Sequence, residues 1–347
     1  MTTLVTGAAG FLGSHVARQL VAEGHDVRVL LRASSSNRAI SDLSLEYVTG
    51  DLRDPSSLER AMAGAKRVFH VAADYRLWAK RSQDIYDSNV GGTKNLLAAA
   101  RKAGVERLIY TSTVATVAVD RPEPPNESTH AKLEEMVGHY KRSKWIAEQE
   151  VLKEAEQGLP VIVAMPTTPV GPWDWKPTPT GKIILDFLNG RMPGYVETGL
   201  NFVGVEECAA GHLLLAERGK IGERYLLGAE NLTLKQLLDA LESITGLAAP
   251  AMKIPHGVAL GVAYVESAFS RLIGKEPQIP GRGEDCAAPD VRGLLAGEEG
   301  VGICARTGRG SARAGGEVVS REWLRKGGAS EEDEAGGLRG KKTKLKE

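Results

Sequence analysis

The first half of the chain alternates short runs of β-branched and other apolar residues with longer amphipathic stretches. This pattern predicts strands at 4–6, 26–31, 46–48, 67–71, 107–111 and 160–165, and helices at 13–23, 55–63, 89–103 and 137–156. Parallel strands need such crossovers, because a tight hairpin joins only antiparallel neighbours. The alternation therefore predicts an α/β fold with a doubly wound parallel sheet covered by helices on both faces.

The 347 residues are enough for two domains. We expect residues 1–170 to form the sheet domain, and residues 201–227 to return to it through candidate edge strands at 201–205 and 224–227 and a helix at 206–218. The segment 166–181 is too rich in proline and glycine for a regular element, and it predicts loops that cover a site.

Residues 171–200 and 228–280 predict a smaller, mostly helical lobe. A helix is expected near 182–189 and another at 233–245, where leucines recur at helical spacing and Thr233 is the expected N-cap. The last segment, 281–347, contains 15 of the 40 glycines and shows no sustained periodicity. We predict an atypical tail of low order there, either native or produced by a shifted reading frame.

The charge of the chain is balanced, with 44 basic and 44 acidic side chains, so nothing implies attraction to nucleic acid. The three cysteines match neither a disulfide framework nor a metal site. No signal peptide is evident, and the best candidate membrane segment, 258–273, is interrupted by charged residues. We expect a cytoplasmic protein with no metal, no nucleic-acid partner and no membrane span.

Three glycines mark the turn between the first predicted strand and the first predicted helix. Gly7, Gly10 and Gly13 have the spacing G-x-x-G-x-x-G, and Phe11 and Leu12 lie between the last two glycines, just before the predicted helix at 13–23. Glycine lets the backbone approach a pyrophosphate, which the free N–H groups of a helix N-terminus bind. The spacing alone arises by chance in so glycine-rich a chain, so its place between strand and helix is what indicates dinucleotide binding by a Rossmann-type fold.

The end of the second predicted strand should lie beside the adenosine ribose of such a dinucleotide. Arg32 is followed there by three serines at 34–36, with no carboxylate nearby. A guanidinium suits the 2′-phosphate of NADP, whereas NAD sites use an acidic residue for the 2′-hydroxyl. The sequence therefore favours NADP over NAD, the alternative being that Arg32 is an ordinary exposed basic residue.

Asp51 and Leu52 follow the third predicted strand. The carboxylate of Asp51 is placed to accept a hydrogen bond from the adenine amino group. The alternative is that Asp51 is the N-cap of the helix that begins near residue 55.

Tyr140 and Lys144 lie four residues apart, on one face of a predicted helix. A neighbouring ammonium stabilises tyrosinate and lowers the pKa of the phenol from about 10, which favours proton transfer near neutral pH. Ser112 and Thr113 lie at the end of a predicted strand just upstream, where a hydroxyl would bind a substrate oxygen opposite the phenol. The set predicts acid–base chemistry at a substrate oxygen.

In this order and spacing, the motifs resemble the extended short-chain dehydrogenase/reductase superfamily over about residues 1–280. The resemblance is carried by the glycine turn, Asp51 and Leu52, the segments 71–73, 89–93 and 111–113, and the pair Tyr140 and Lys144. Segments at 70–78, 138–144, 169–172, 176–181, 186–193 and 230–236 are similar to bacterial hopanoid-associated sugar epimerases, which are close to dihydroflavonol-4-reductases.

The resemblance implies a role for each matching residue. Tyr140 would be the acid/base, Lys144 would lower its pKa and hold the nicotinamide ribose, and Thr113, or alternatively Ser112, would polarise the carbonyl. Ala72 and Pro166 would line the cofactor, with the backbone around Pro166 framing the nicotinamide. The implied substrate pocket consists of Asp74, Tyr75, Trp78, Thr168, Trp173 and Phe202.

Three functional hypotheses follow. An NAD(P)-dependent epimerase would oxidise a hydroxyl of an activated or lipid-linked sugar, as in hopanoid biosynthesis, and return hydride to the opposite face. An NADPH-dependent reductase would reduce a ketone or aldehyde, with Tyr140 as the proton donor. A nucleotide-binding protein without turnover is the third. The resemblance favours the epimerase, which the sequence therefore places first, and Arg32 favours the reductase; the family also implies a homodimer.

Overall fold

The computed structural model describes residues 1–76, 79, 81–117 and 126–259. The strands are β1 (Thr2–Thr6), β2 (Asp26–Leu31), β3 (Glu46–Thr49), β4 (Ala65–His70), β5 (Arg107–Thr111), β6 (Val161–Pro166), β7 (Thr168–Val170), β8 (Gly199–Gly204), β9 (Arg224–Leu227) and β10 (Glu230–Thr233). The α-helices are α1 (Phe11–Ala22), α2 (Pro55–Met62), α3 (Gln83–Tyr86), α4 (Gly92–Ala103), α5 (His139–Glu156), α6 (Pro179–Leu188), α7 (Val205–Arg218) and α8 (Leu234–Thr245). The predictions for Trp78 and for the tail at 281–347 lie outside the described residues.

Seven strands form a parallel sheet in the order β3-β2-β1-β4-β5-β6-β9. The chain builds outward from β1 to β3, then crosses to the other side of β1 and continues with β4. This reversal is the switch point of a doubly wound sheet, where ligands bind beyond the carboxyl ends of the strands. The predicted Rossmann-type α/β fold is confirmed.

Helices cover both faces of the sheet and enclose two apolar layers. One layer lies beneath α2, α4 and α5 and includes Leu58, Leu97 and Val151. The other lies beneath α1 and α7 and includes Val16 and Leu215. All six residues of β6 are buried, as expected for a strand covered on both faces.

The later part of the chain departs from the sequence prediction in forming a second sheet. The segment predicted as a candidate edge strand at 201–205 does not join the main sheet, whereas β9 does. Instead, β8 pairs in parallel with β7 and antiparallel with β10, forming a second, three-stranded sheet. The short strand β7 lies inside the segment 166–181, for which no regular element was predicted.

The smaller lobe packs its helices around a separate apolar cluster. Ile184 and Phe187 of α6 meet Leu238 and Leu241 of α8. Proline begins α6, where its missing N–H costs nothing, so the helix starts at Pro179 rather than near 182. The predicted N-cap of α8 is confirmed, because Thr233 accepts a hydrogen bond from the backbone of Gln236.

The helix predicted to begin at residue 89 begins at Gly92 in the structure, after an irregular turn. A π-helical turn, Asp87–Gly91, joins α3 to α4. Such turns shift the helical register and are frequent at functional sites. The buried side chain of Asn89 within this turn accepts from the backbone nitrogen of Asp74 at 2.7 Å and donates to the Ser143 hydroxyl at 2.9 Å. It thereby joins the loop after β4 to α5.

Across the described ranges, no helix has the length and apolar character needed to cross a membrane. Most of the segment 258–273 lies outside these ranges. The same part of the chain contains no group of three His, Cys, Asp or Glu side chains arranged to hold a metal ion.

A buried histidine makes stability depend on pH. His212 of α7 bonds the carbonyl oxygen of Cys208 through Nδ1 at 2.8 Å and the Thr111 hydroxyl through Nε2 at 3.1 Å. Burial lowers its pKa from 6.5 to about 4. Between these two values the unfolded chain binds a proton that the folded chain does not, so stability is lost as the pH falls below 6.5.

We therefore expect His212→Gln to weaken the acid dependence of stability. In the wild type, protonation of the unfolded histidine should remove on the order of 2 kcal/mol between pH 7 and pH 4.5. The measurement is urea unfolding of both proteins at the two pH values, with the half-buried His25→Gln variant as control. Equal losses in the wild type and in His212→Gln would contradict the assignment.

Candidate functional site

The glycine turn after β1 packs backbone against backbone at the amino end of α1. Gly7 has a φ of +78°, and a Cβ there would lie 2.6 Å from the backbone nitrogen of Ala72. A Cβ on Gly13 would lie 2.1 Å from the carbonyl oxygen of Gly7. Gly10 donates its N–H to that oxygen at 2.9 Å, and no side chain caps the helix. The turn is therefore closed to any residue with a side chain at Gly7 or Gly13.

This cradle fits the pyrophosphate of a dinucleotide. The first N–H groups of α1, beginning at Phe11 and Leu12, have no acceptor within the helix. Together with the helix dipole they attract an anion, and no Cβ of the three glycines stands in its way. The structure thus brings together Gly7, Gly10, Phe11, Leu12 and Gly13, as the sequence predicted.

The carboxyl ends of β2, β3 and β4 place three charged residues near one another. Arg32 is exposed at the end of β2. Hydrogen bonds from Arg53 lower the pKa of Asp51 to about 2, and the charge of Arg32 adds a smaller effect. Burial alone would raise the pKa of Asp74, but hydrogen bonds from Arg76 and the charge of Arg32 lower it. Arg32 is therefore close enough to both carboxylates for its charge to act on each of them.

Asp51 is paired with Arg53 at 2.7 and 2.9 Å. A contact between Asp51 and adenine stays a prediction. The alternative that Asp51 caps α2 is wrong, because Asp54 is the N-cap and accepts from the backbone nitrogen of Ser56 at 3.0 Å. Leu52 packs closely on Gly92, where a Cβ would lie 2.7 Å from the Leu52 Cβ.

Tyr140 lies in the first turn of α5 and is hydrogen-bonded to Thr113 just beyond β5. Burial raises the pKa of Tyr140 to about 12, while the hydrogen bond with Thr113 acts in the opposite direction. The sequence predicted a pKa lowered by Lys144, and in this structure that direction is wrong because desolvation of the phenol outweighs other effects. The phenol is therefore protonated at neutral pH and able to donate a proton.

Lys144 is buried one helical turn beyond Tyr140, with 2% of its surface exposed. Its Nζ donates to the hydroxyl of Tyr110 at 2.9 Å and to the carbonyl oxygen of Thr111 at 2.8 Å. Burial lowers the pKa of Lys144 to about 7, against the opposing charge of Glu148. The ammonium thus lies at the end of β5 and is near its titration point at neutral pH.

Ser112, the alternative catalytic hydroxyl, is turned away from Tyr140. It donates to Glu148 Oε2, as does Thr116 at 2.9 Å. Arg224 of β9 lies 3.3 Å from Glu148 Oε1 and completes a buried ion pair. The hydroxyl of Ser112 therefore belongs to a buried network behind the site, and Thr113 is the one that meets Tyr140.

The predicted nicotinamide and substrate residues lie on neighbouring strands. Pro166 ends β6, directly beside the end of β5. Thr168 of β7 and Phe202 of β8 are register partners in the second sheet, so their side chains point to the same face. The structure therefore brings these two predicted substrate residues together.

Trp173 lies in the segment 171–178 between β7 and α6, which we call the bridging loop. Its ring stacks on His15 of α1 at a centroid distance of 5.3 Å, and the Arg18 guanidinium lies 3.6 Å from the ring centroid. Trp173 has a φ of +66°, a strained conformation for a bulky residue. These contacts fasten the loop to α1, and a substrate contact for Trp173 stays a prediction.

Two further contacts connect the bridging loop to the main sheet domain. The Arg38 guanidinium, in the loop after β2, lies 3.9 Å from the ring centroid of Trp175. Lys176 Nζ lies 6.0 Å from the ring centroid of Tyr75, in the loop after β4. Tyr75 thus lies beside the loop, and Asp74 is paired with Arg76. The bridging loop therefore lies against both the loop after β2 and the loop after β4.

Sequence reasoning missed the side chains behind Lys144. Glu148 follows Lys144 by four residues on the same helical face, so the spacing that found Tyr140 and Lys144 could also have found it. Tyr110 gave no such signal, because an aromatic residue in a buried strand looks the same whether or not its hydroxyl has a partner.

A family model described as the NAD dependent epimerase/dehydratase family matches residues 3–228. Among curated proteins, a "Putative dihydroflavonol 4-reductase" of Synechocystis sp. is 46% identical over 292 residues, which are 83% of this chain and 85% of that protein. The "Sterol demethylase protein B" of Methylococcus capsulatus is 38% identical over 78% of this chain and 83% of that protein. The crystal structure of gox2253 superposes with a TM-score of 0.75 at 42% identity, covering 94% of this chain and 98% of that one.

We expect Gly13→Ala to weaken nucleotide binding, since its Cβ would collide with the Gly7 carbonyl and open the turn. The affinity for NADH and NADPH, measured by nicotinamide fluorescence, should fall at least tenfold, about 1.4 kcal/mol. Gly257→Ala is the matched control, because its Cβ would meet nothing within 4 Å. Wild-type affinity in a folded Gly13→Ala protein would show that the cradle holds no nucleotide.

Proposed function

The chain belongs to the NAD dependent epimerase/dehydratase family, and on that premise we propose that it is an NAD(P)-dependent enzyme that interconverts a carbonyl and an alcohol. The observation that carries the proposal is the hydrogen-bonded pair of Tyr140 and Thr113 at the carboxyl edge of the sheet, one helical turn from the ammonium of Lys144. A phenol, a hydroxyl and a cation around one point are what proton transfer to a carbonyl oxygen needs.

The nucleotide would lie along the carboxyl edge. Gly7, Gly10 and Gly13, with the N–H groups of Phe11 and Leu12, would hold the pyrophosphate. Arg32 would meet the adenosine ribose, Asp51 and Leu52 the adenine, and Ala72 the turn between them. Lys144 would hold the nicotinamide ribose, and Pro166 would frame the ring. When bound, the nicotinamide supplies or accepts the hydride.

The chain itself performs the proton chemistry. Thr113 would donate a hydrogen bond to the substrate carbonyl oxygen and fix it beside Tyr140 Oη. Tyr140, protonated at neutral pH because burial raises its pKa to about 12, would donate its proton to that oxygen as an alcohol forms. Lys144 would stabilise the resulting tyrosinate, since a nearby positive charge favours the ionised phenol.

We place the reductase first among the possible reactions. The relative at 46% identity bears the name of a reductase, and Arg32 stands at the end of β2 with its guanidinium exposed, as NADPH use would require. An epimerase acting on an activated or lipid-linked sugar is the second candidate. It is supported by the name of the family whose model matches and by the resemblance of the lobe segments to hopanoid-associated epimerases.

The nucleotide that accompanies the purified protein separates the two reactions. An epimerase reuses its cofactor within each cycle and is expected to retain NAD(H) through purification. A reductase exchanges its nucleotide each turnover and should be purified empty, with a preference for NADPH. We expect denaturation followed by mass spectrometry to release no stoichiometric NAD(H), and a full complement would favour the epimerase.

Replacing Tyr140 with phenylalanine removes the proton donor and leaves the ring. NADPH oxidation with a panel of aromatic and aliphatic aldehydes and ketones should slow by about 10²–10⁴-fold, while nucleotide affinity changes little. Tyr225→Phe, which loses a hydroxyl that accepts from the Lys220 backbone at 3.0 Å, is the control. Unchanged turnover in Tyr140→Phe would refute the mechanism.

Arg32→Ser tests the choice of nucleotide. Loss of the guanidinium should weaken NADPH binding by about tenfold or more and leave NADH binding nearly unchanged, because only NADPH carries the 2′-phosphate. Arg60→Ser on the exposed side of α2 is the matched control. Equal effects on both nucleotides would return Arg32 to the status of an ordinary surface residue.

A further inference from the structure

A buried tyrosine holds the ammonium of Lys144 from the side of the sheet. Lys144 Nζ donates to Tyr110 Oη at 2.9 Å and to the Thr111 carbonyl oxygen at 2.8 Å. We propose that Tyr110 is a positioning residue whose hydroxyl fixes the Lys144 head group and stabilises its charged form. The inference rests on the proposed function for the task of Lys144, whereas the contact itself does not depend on any substrate.

The hydrogen bonds behind Tyr110 have one consistent direction. Thr93 Oγ1 donates its proton to the carbonyl oxygen of Asn89 at 2.6 Å. Thr93 also interacts with the hydroxyl of Tyr110. Because the single proton of Thr93 is used on Asn89, we assign Thr93 as the acceptor of the phenol proton. The lone pairs of Tyr110 Oη are thereby left for the ammonium of Lys144.

The contacts of His70 are compatible with the same assignment. Its Nδ1 lies 2.7 Å from Thr6 Oγ1 and its Nε2 lies 3.3 Å from Thr93 Oγ1. Since Thr93 has no second proton, the network places the His70 proton on Nε2 and makes Nδ1 the acceptor from Thr6. Burial lowers the pKa of His70 to about 3, so the ring stays neutral and fits these roles.

None of the other charged and titratable groups that the structure describes around Lys144 and Tyr110 replaces the Tyr110 hydroxyl as a hydrogen-bond acceptor for Lys144 Nζ. They are Glu148 and Tyr140 on α5, His70 on β4, Arg224 on β9 and His212 on α7. Glu148 acts on Lys144 through its charge, while its oxygens accept from Ser112, Thr116 and Arg224. The hydrogen bonds that the structure gives to Lys144 Nζ are those to Tyr110 and Thr111.

Removal of the Tyr110 hydroxyl should therefore make the ammonium easier to deprotonate. Burial already brings the pKa of Lys144 to about 7, and the loss of an acceptor lowers it further because only the charged form needs that acceptor. Tyr110 is fully buried, and phenylalanine fills the same space. We expect Tyr110→Phe to lower the pKa of Lys144 by about one unit, a tenfold change in the protonation equilibrium.

The direct measurement is a pH titration of the full chain labelled with [6-¹³C]lysine, followed by carbon NMR. Lys144→Met identifies the resonance. Tyr47→Phe, which loses an exposed hydroxyl bonded to the Ile40 carbonyl at 3.2 Å, should leave the titration unchanged. An unshifted Lys144 titration in folded Tyr110→Phe would overturn the proposal.

Thr93 provides a second test that leaves Tyr110 in place. Thr93→Val removes the acceptor of the phenol proton, which then turns toward the ammonium and should lower the pKa of Lys144. Thr93→Ser keeps the hydroxyl and should restore the wild-type titration. If Tyr110→Phe does not fold, this pair decides: equal Lys144 titrations in Thr93→Val and Thr93→Ser would contradict the proposed direction of the network.

Nucleotide binding separates this inference from the proposed function. In the wild type, NADPH affinity measured by fluorescence should weaken as the pH rises through the Lys144 titration, and in Tyr110→Phe the same weakening should begin about one pH unit lower. Absence of NADPH and NADH binding by the wild type would refute the proposed function and leave the NMR test intact. Binding with the same pH profile in both proteins would refute the role of Tyr110 alone.

Discussion

A positive charge with almost no access to water lies at the end of β5, and its burial determines much of what surrounds it. An ammonium at 2% exposure needs acceptors in place of water. The Thr111 carbonyl, freed where the strand ends, supplies one, and the Tyr110 hydroxyl supplies another. Because both come from β5, the position of Lys144 depends on how α5 packs on this strand.

That packing is secured on both sides of the ammonium. On one side, Asn89 joins the loop after β4 to Ser143 of α5 through the irregular turn before α4. On the other, Glu148 joins α5 to Ser112, Thr116 and Arg224. Removing one member of such a buried ion pair leaves an uncompensated charge, which is far more costly than losing a surface pair. The same residues that stabilise the interior thus fix the positions of Tyr140 and Lys144.

The alternation of strands and helices was enough to predict the main sheet, because each buried parallel strand is an apolar run that hydrophobicity reveals. It was not enough for β7, β8 and β10. These strands are short, half-buried and include Pro169, Gly199 and Gly204, so their pairing depends on contacts between distant segments. The segment 201–205 was therefore recognised as a strand candidate but joined to the wrong sheet.

The site was predicted where backbone geometry dictates residue type. Gly7 and Gly13 are required because a Cβ at either position would collide with the backbone. Tyr140 and Lys144 were recognised because residues four apart share one face of a helix. The pKa of Tyr140 was predicted in the wrong direction, since desolvation is invisible in a linear sequence. The choice between Ser112 and Thr113 likewise needed the structure, because only one of two adjacent hydroxyls can face the phenol.

The bridging loop connects the smaller lobe to the main sheet. At its carboxyl end it leads into α6, whose apolar face packs on α8 of the smaller lobe. Along its length, Trp173 is held by Arg18 of α1 and Trp175 by Arg38 of the loop that follows β2. A displacement of α6 away from the sheet must pull on these arginines. Movement of α6 would therefore be coupled through two tryptophans to α1 and to the loop after β2.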